Sequence, residues 1–252
     1  MKKYIVMLVC MLLVSSCALA SRKSAPVNQE IPPVPKAEEL TVTLNTYDLS
    51  FPEDMPEVVR QFVLTARAEF EAHPFERLPK ANQYTKWYYE DNREIGWCSV
   101  FQIWCAYHSG LPLIRWNQGA HMEEECFSAM EGRVGNVYKA FIGQNRWLDA
   151  LEGAVPKPGY LIIYGVRSST PYTHIAIVES VTELEQGVYE LTTVEGNLGS
   201  TVRRLNFRYL TAPKRKYYNM EAIPEAERTR EGCQYTLQKD TWYVTGFCET
   251  WP

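Results

Sequence analysis

The chain has 252 residues, of which 46% are hydrophobic and 22% charged, a composition typical of a globular protein with one main hydrophobic core. Its 26 basic and 30 acidic residues give a formal net charge of -4, so it lacks the basic field with which most nucleic-acid-binding proteins attract a polyanion. We therefore expect one main domain and no nucleic-acid partner.

The first residues, 1–20, have the pattern of an export signal. Two lysines precede an uncharged apolar run, Tyr4 to Val14, that is too short to span a bilayer comfortably. The segment 14–17 (VSSC) resembles the lipobox of bacterial lipoproteins, in which Cys17 would be lipidated and become the mature N-terminus. The alternative is ordinary secretion with cleavage after 18–20 (ALA). We expect an exported protein of the bacterial cell envelope, either lipid-anchored or periplasmic or extracellular, and favour the lipoprotein.

The rest of the chain divides by composition. Residues 21–52 include four prolines between positions 26 and 35 and are expected to form a tether and lead-in. Apolar residues at helical spacing predict an amphipathic helix over Pro56–Ala72, and the polar stretch Pro79–Glu94 is expected to be a loop. The main domain is expected over 53–212, and 213–252 is a C-terminal extension to which the sequence assigns no role.

One helix and several strands are predicted in the main domain. The run Cys98–Ser109 (CSVFQIWCAYHS) is apolar on most sides and is followed by Gly110, which predicts a buried helix that ends at this glycine. Short segments rich in β-branched and aromatic residues predict the strands of an antiparallel or mixed sheet, Tyr160–Tyr164, His174–Val181 and Tyr189–Val194. Helices followed by strands favour an α+β domain in which the Cys98 helix packs on the sheet.

Cys98, at the start of a predicted helix, is the candidate nucleophile. A thiol attacks as the thiolate, which a helix N-terminus and a neighbouring imidazole both favour. Of the four histidines, His73 and His121 have the surroundings of solvated surface groups. His108 lies ten residues along the same helix, too far to touch Cys98. His174, which begins the apolar strand HIAIV, is therefore the expected base.

A base of this kind usually has its second ring nitrogen held by a carboxylate or an amide. Glu195 and Asn197, in the segment TVEGN, offer both, and strand alternation would place them on one face with no side chain at Gly196 between them. One would orient His174 and the other would support a charged intermediate, and their division of labour is open. The alternative interpretation is a simple turn at a strand end.

Other cysteines and aromatic residues have less specific interpretations. Cys105 is expected to be core packing, and Cys233 with Cys248 could close a disulfide in an oxidising compartment, a pairing that the sequence leaves open. Neither a C-x2-C nor an H-x3-H pair is present, so no metal and no cofactor is expected.

Three aromatic residues before or beside Cys98 would either stack on a substrate or fill the core, and they are Trp87, Tyr88 and Trp97.

Together, four segments resemble the CHAP domain, the cysteine, histidine-dependent amidohydrolase/peptidase family. They are Gln83–Pro112, Lys157–Tyr164 (KPGYLIIY), His174–Val181 (HIAIVESV) and Thr193–Asn197 (TVEGN). The resemblance implies a papain-like fold of the NlpC/P60 type, with N-terminal helices packed on an antiparallel or mixed sheet. It also implies Cys98 as nucleophile, His174 as base, and Glu195 with Asn197 as orienting groups.

The function that the resemblance implies is hydrolysis of a peptidoglycan amide through a thioester, between muramic acid and the stem peptide or within the peptides. The expected partners are peptidoglycan and, through the lipid anchor, the membrane, and the expected state is a monomer. In one departure, Tyr160 follows Gly159 where many members have an acidic residue, so a local turn or substrate contact differs. The alternatives are a wall-binding envelope lipoprotein without turnover and a cysteine peptidase that acts on protein.

Overall fold

The computed structural model describes residues 49–73, 76–114, 126–167, 170–215, 217–235 and 242–252. The predicted signal peptide, the lipidation site Cys17, the tether up to residue 48 and His121 lie outside the described residues. No helix within the described ranges is long and apolar enough to cross a membrane.

Four α-helices lie in the described part of the chain, and they are α1 (Glu57–Ala72), α2 (Gln83–Tyr89), α3 (Cys98–Ser109) and α4 (Val134–Gly143). Helices α1 and α3 confirm the two helices predicted from the sequence. Helix α3 ends at Gly110, whose φ of 78° is left-handed and therefore suits a residue without a side chain.

Helix α2 lies inside the stretch that was predicted to be a loop, and that prediction is wrong there. The Asn82 side chain accepts hydrogen bonds from the backbone N–H groups of Tyr84 and Thr85, at 3.1 and 3.2 Å. The Thr85 hydroxyl accepts in return from the backbone N–H of Asn82 at 3.0 Å. This reciprocal cap stabilises a helix that is too short for periodicity to reveal it.

Nine strands are described, and they are β1 (Leu113–Ile114), β2 (Ser128–Ala129), β3 (Trp147–Asp149), β4 (Leu161–Val166), β5 (His174–Glu185), β6 (Val188–Glu195), β7 (Arg203–Leu210), β8 (Met220–Ala222) and β9 (Trp242–Cys248). Strands β1 and β2 form a short parallel pair. The other seven form one antiparallel sheet in the order β3-β9-β4-β5-β6-β7-β8. Strand β9 lies inside this sheet, so the C-terminal segment 213–252 supplies one internal strand and one edge strand.

Helices α1 and α3 pack on the sheet and bury their apolar faces there, which confirms the α+β class. The contact between α1 and the loop before β4 is especially close. Gly159 has a φ of +86°, and a Cβ at this position would lie 2.3 Å from the Val59 side chain. Tyr160, the residue that departs from the expected acidic pattern, is buried, and its hydroxyl donates to Glu249 at 3.0 Å.

Candidate active site

Cys98 and His174 meet where helix α3 packs against the start of strand β5. Cys98 is the first residue of α3, and His174 is the first residue of β5. The thiol is hydrogen-bonded to the imidazole, and the backbone N–H groups of Ile175 and Ser99 also donate to the sulfur. The thiol is half-buried, while the imidazole is only 5% exposed. The two residues predicted to react are therefore in direct contact.

The contact shifts both pKa values in the directions that a thiolate–imidazolium pair requires. Burial raises the pKa of Cys98, but the hydrogen bond and the charge of His174, together with the two backbone donors, outweigh burial and leave the pKa below its ordinary value. Burial opposes protonation of His174, but hydrogen bonds and charges from Cys98 and Glu195 raise the pKa of His174 to about 10. Both shifts favour the state in which the imidazole holds the proton and the sulfur carries the negative charge.

Glu195 holds the opposite side of the imidazole. Its Oε2 atom lies 2.9 Å from Nε2 of His174, which leaves Nδ1 for the thiol. The other carboxylate oxygen, Oε1, accepts hydrogen bonds from the hydroxyls of Tyr164 at 2.9 Å and Thr193 at 2.8 Å. Glu195 is fully buried, so these three contacts replace the water that a carboxylate would otherwise bind.

Gly196 lets the end of strand β6 approach helix α3. A Cβ at this position would lie 2.3 Å from Cβ of Phe101 and 3.0 Å from the Trp97 ring. Any side chain would therefore push β6 away from the helix and carry Glu195 with it. In the sequence analysis, Gly196 had the role of removing bulk between Glu195 and Asn197, whereas the structure shows that the missing side chain makes room for Phe101 and Trp97.

Asn197 occupies a different place from the one that strand alternation predicted. Strand β6 ends at Glu195, and Asn197 has a left-handed φ of 63°, so the period of two does not extend to it. Its Nδ2 atom lies 3.5 Å from the position of a Cβ on Gly96. Asn197 therefore lies beside the loop that leads into Cys98, while Glu195 is the residue in contact with His174.

The three aromatic residues predicted near the nucleophile are dispersed. Trp97 is 0% exposed and stacks on Tyr84 with ring centroids 5.2 Å apart, which leaves no face open to a ligand in this conformation. Trp87 contacts His108, near the far end of α3 from Cys98. The Tyr88 hydroxyl accepts from the backbone N–H of Gly132 at 3.1 Å. Of the three, Trp87 and Tyr88 remain partly exposed.

Three residues of the site were not predicted from the sequence. Tyr164 and Thr193 donate to Glu195 as described, and Trp242, from strand β9, lies with its ring centroid 5.6 Å from that of His174. Thr193 could have been found from the sequence, because it stands two residues before Glu195 and strand alternation therefore places both side chains on the same face. Tyr164 and Trp242 become neighbours of the site only through sheet pairing, which the sequence does not specify.

The five cysteines in the described residues are all free thiols, so Cys233 and Cys248 are unpaired. Burial raises the pKa of Cys105 and Cys248 well above the ordinary value, and it raises the pKa of Cys233 to about 11. Of these four thiols, Cys98 is the one whose surroundings favour the thiolate. Within the described ranges, no group of three or more His, Cys, Asp or Glu side chains could hold a metal ion.

Comparison with known proteins gives one match. The family model of the CHAP domain matches residues 87–197, a range that includes Cys98, His174, Glu195 and Asn197. No curated protein and no solved structure matches the chain. The resemblance seen in the sequence is thus confirmed for the segment that contains the site.

Proposed function

We propose, from the premise that residues 87–197 form a CHAP domain, that the chain hydrolyses an amide bond of peptidoglycan through a thioester on Cys98. CHAP domains are generally hydrolytic, with amidase or peptidase activity. The observation that supports the cysteine mechanism is the buried chain of contacts from Cys98 through His174 to Glu195. In this proposal the domain has the papain-like NlpC/P60 form.

The first step is attack of the Cys98 thiolate on the carbonyl carbon of the amide, which forms a C–S bond and places negative charge on the carbonyl oxygen. Backbone N–H groups in the first turn of a helix have no intrahelical acceptor, so the N–H of Cys98 is available to that oxyanion. The Asn197 amide, beside Gly96, is our candidate for a second donor. His174 remains protonated during attack.

The second step breaks the C–N bond. The His174 imidazolium donates its proton to the leaving amine, and the acyl group stays on sulfur as a thioester. Water then attacks the thioester, His174 accepts a proton from it, and the C–S bond breaks to release a carboxylic acid and regenerate the thiolate–imidazolium pair. The Glu195 side chain stays hydrogen-bonded to the imidazole at 2.9 Å and stabilises its charged form.

Our proposal for the location of the enzyme rests on the predicted export signal. We propose that Cys17 is lipidated, that residues 21–52 extend the domain away from the membrane, and that the anchored monomer acts on peptidoglycan within reach. Globomycin-sensitive processing and membrane fractionation of the full chain, with a Cys17→Ala variant as control, test the anchor.

The test of activity is digestion of purified sacculi by the full chain, compared with Cys98→Ala and with Cys233→Ser as a variant that removes another free thiol. We expect solubilisation by the wild type and Cys233→Ser and none by Cys98→Ala. Mass spectrometry of the new ends separates an amidase, which frees stem peptides from muramic acid, from an endopeptidase, which frees amino groups within peptides. Equal solubilisation by Cys98→Ala contradicts the mechanism. If the protein binds the wall, but neither hydrolyses it nor is labelled at Cys98 by a thiol reagent, the result supports the wall-binding alternative.

A further inference from the structure

A buried tyrosine on strand β4 lies beside the imidazole of His174. Tyr164 pairs with His174 across strands β4 and β5, so their side chains share one face of the sheet, and the ring centroids lie 5.9 Å apart. Tyr164 is 1% exposed, and its hydroxyl donates to Glu195 at 2.9 Å. Burial and the neighbouring carboxylate raise the pKa of Tyr164 well above its ordinary value, so the hydroxyl keeps its proton and remains a donor.

The two oxygens of the Glu195 carboxylate have separate partners. Oε1 accepts hydrogen bonds from the hydroxyls of Tyr164 and Thr193, whereas Oε2 lies 2.9 Å from Nε2 of His174. The terminal torsion of a glutamate is soft, so a carboxylate without such donors can turn over a wide range. Because both hydroxyls lie on Oε1, they hold the carboxylate in the orientation that directs Oε2 at the imidazole.

Tyr164 and Thr193 hold the carboxylate from different strands. Thr193 lies on β6, two residues before Glu195, so it moves with the strand that carries the carboxylate. Tyr164 lies on β4, and strand β5, which begins at His174, runs between the two. The Tyr164 ring is itself held by Trp242 of β9, with ring centroids 6.0 Å apart. The Tyr164 hydroxyl therefore fixes Glu195 relative to the rest of the sheet.

We propose that Tyr164 is a positioning residue for the proposed reaction, whose hydroxyl holds the Glu195 carboxylate so that Oε2 keeps its contact with His174. The inference deepens the proposed function and rests on it. The hydroxyl acts on the Cys98 thiol only through the carboxylate and the imidazole. Without it, Thr193 still donates to Oε1, so the pair of Cys98 and His174 is weakened but not abolished.

The test compares Tyr164→Phe with the matched control Tyr160→Phe. Tyr160 is also 1% exposed and donates to a carboxylate, that of Glu249, at 3.0 Å, so each substitution removes one hydroxyl–carboxylate hydrogen bond. We expect Tyr164→Phe to slow alkylation of Cys98 by iodoacetamide about threefold at pH 7, and to lower kcat for soluble peptidoglycan fragments about tenfold at unchanged KM. Hydrolysis falls further because it also needs the imidazole to be aimed. Tyr160→Phe should leave both rates unchanged.

A second background separates positioning from packing. In Glu195→Gln, the further change Tyr164→Phe should alter the alkylation rate by less than about twofold, because the carboxylate through which the hydroxyl acts is already gone. Thr193→Val makes the orientation of Glu195 depend on Tyr164 alone, and it serves if Tyr164→Phe does not fold. We expect Thr193→Val to alkylate within about threefold of the wild type. A loss as large as that of Glu195→Gln would show that Tyr164 does not hold the carboxylate.

Equal alkylation rates for folded Tyr164→Phe and wild type overturn the inference, as does an equal loss in Tyr160→Phe or a full additional loss in the Glu195→Gln background. Alkylation needs no substrate, so these comparisons stand even if the wild type hydrolyses no peptidoglycan. That result would count against the proposed function alone.

Discussion

Replacing His174 by glutamine should remove most of the reactivity of Cys98 at neutral pH. In the native site, burial raises the pKa of the thiol, and the hydrogen bond and charge of His174 are the largest effects that oppose it. Without the imidazole, burial is opposed only by the backbone donors, so the pKa of Cys98 rises. Glutamine keeps a polar group of similar size next to Glu195, so the variant separates charge from packing.

The size of the effect follows from the ionised fraction of the thiol. A thiol with the ordinary pKa of 9.0 is about 1% ionised at pH 7, whereas a fully formed ion pair is nearly all thiolate, a difference of about 100-fold. The more basic thiolate of the variant is intrinsically more reactive, which offsets part of this loss. We expect alkylation by iodoacetamide to slow between about tenfold and 100-fold at pH 7. Hydrolysis should fall further, by about 10^4-fold, because the proton donor is also lost.

The assay follows modification of the peptide that contains Cys98 by mass spectrometry, from acidic to alkaline pH. His108→Gln, on the same helix but outside the site, is the matched control, and thermal unfolding checks that both variants fold. In the wild type, the charge of His174 is present below its raised pKa and is lost as the pH rises through about 10. Hydrolysis should therefore decline above pH 10 while alkylation continues. Equal alkylation rates for folded His174→Gln and wild type at pH 7 would refute the ion pair.

Three further substitutions test the site and the sheet that carries it. Glu195→Gln removes a charge that raises the pKa of His174, so the alkaline limb of the pH–rate profile should move to lower pH; an unmoved limb contradicts this role. Gly196→Ala should cost about 1–3 kcal/mol in urea unfolding because of its contact with α3, whereas Gly143→Ala, in open space, should cost nothing; equal values for the two count against the contact. Glu179→Leu should cost about 3–5 kcal/mol, because it leaves Arg204, 3% exposed and 2.7 Å from Glu179, with a buried unpaired charge; a loss below about 1 kcal/mol contradicts this.

The sequence predicted the parts of the site that depend on local pattern. The apolar run that ends at Gly110 has one consistent interpretation, so helix α3 begins and ends where it was expected. His174 was selected because the other histidines had weaker surroundings, and its contact with Cys98 agrees with that choice. Helix α2 was missed because seven residues contain too few turns for periodicity, although its cap from Asn82 to Thr85 is visible in the sequence.

Features that depend on where a strand ends or on which strand lies next to it could not be predicted. Alternation correctly places Thr193 and Glu195 on one face, but it fails at Asn197, because the chain leaves the strand after Glu195 with a left-handed residue. Strand β4 lies between β5 and β9 in the sheet, and β9 is far from β4 in the sequence. Pairing of this kind depends on the tertiary fold as a whole, so Trp242 carried no local signal of its place beside His174.

The part of the chain beyond the family match completes the site. The match ends at residue 197, yet strand β9 pairs along β4, the strand that carries Tyr164. Because Tyr164 donates to the carboxylate that holds His174, pairing with β9 fixes one support of the imidazole. Trp242 also covers the ring, with centroids 5.6 Å apart, and its apolar surface keeps water from competing for the imidazole's hydrogen bonds. The thiolate at Cys98 thus depends on a strand near the C-terminus, which is why the segment 213–252 belongs to the working enzyme in our proposal.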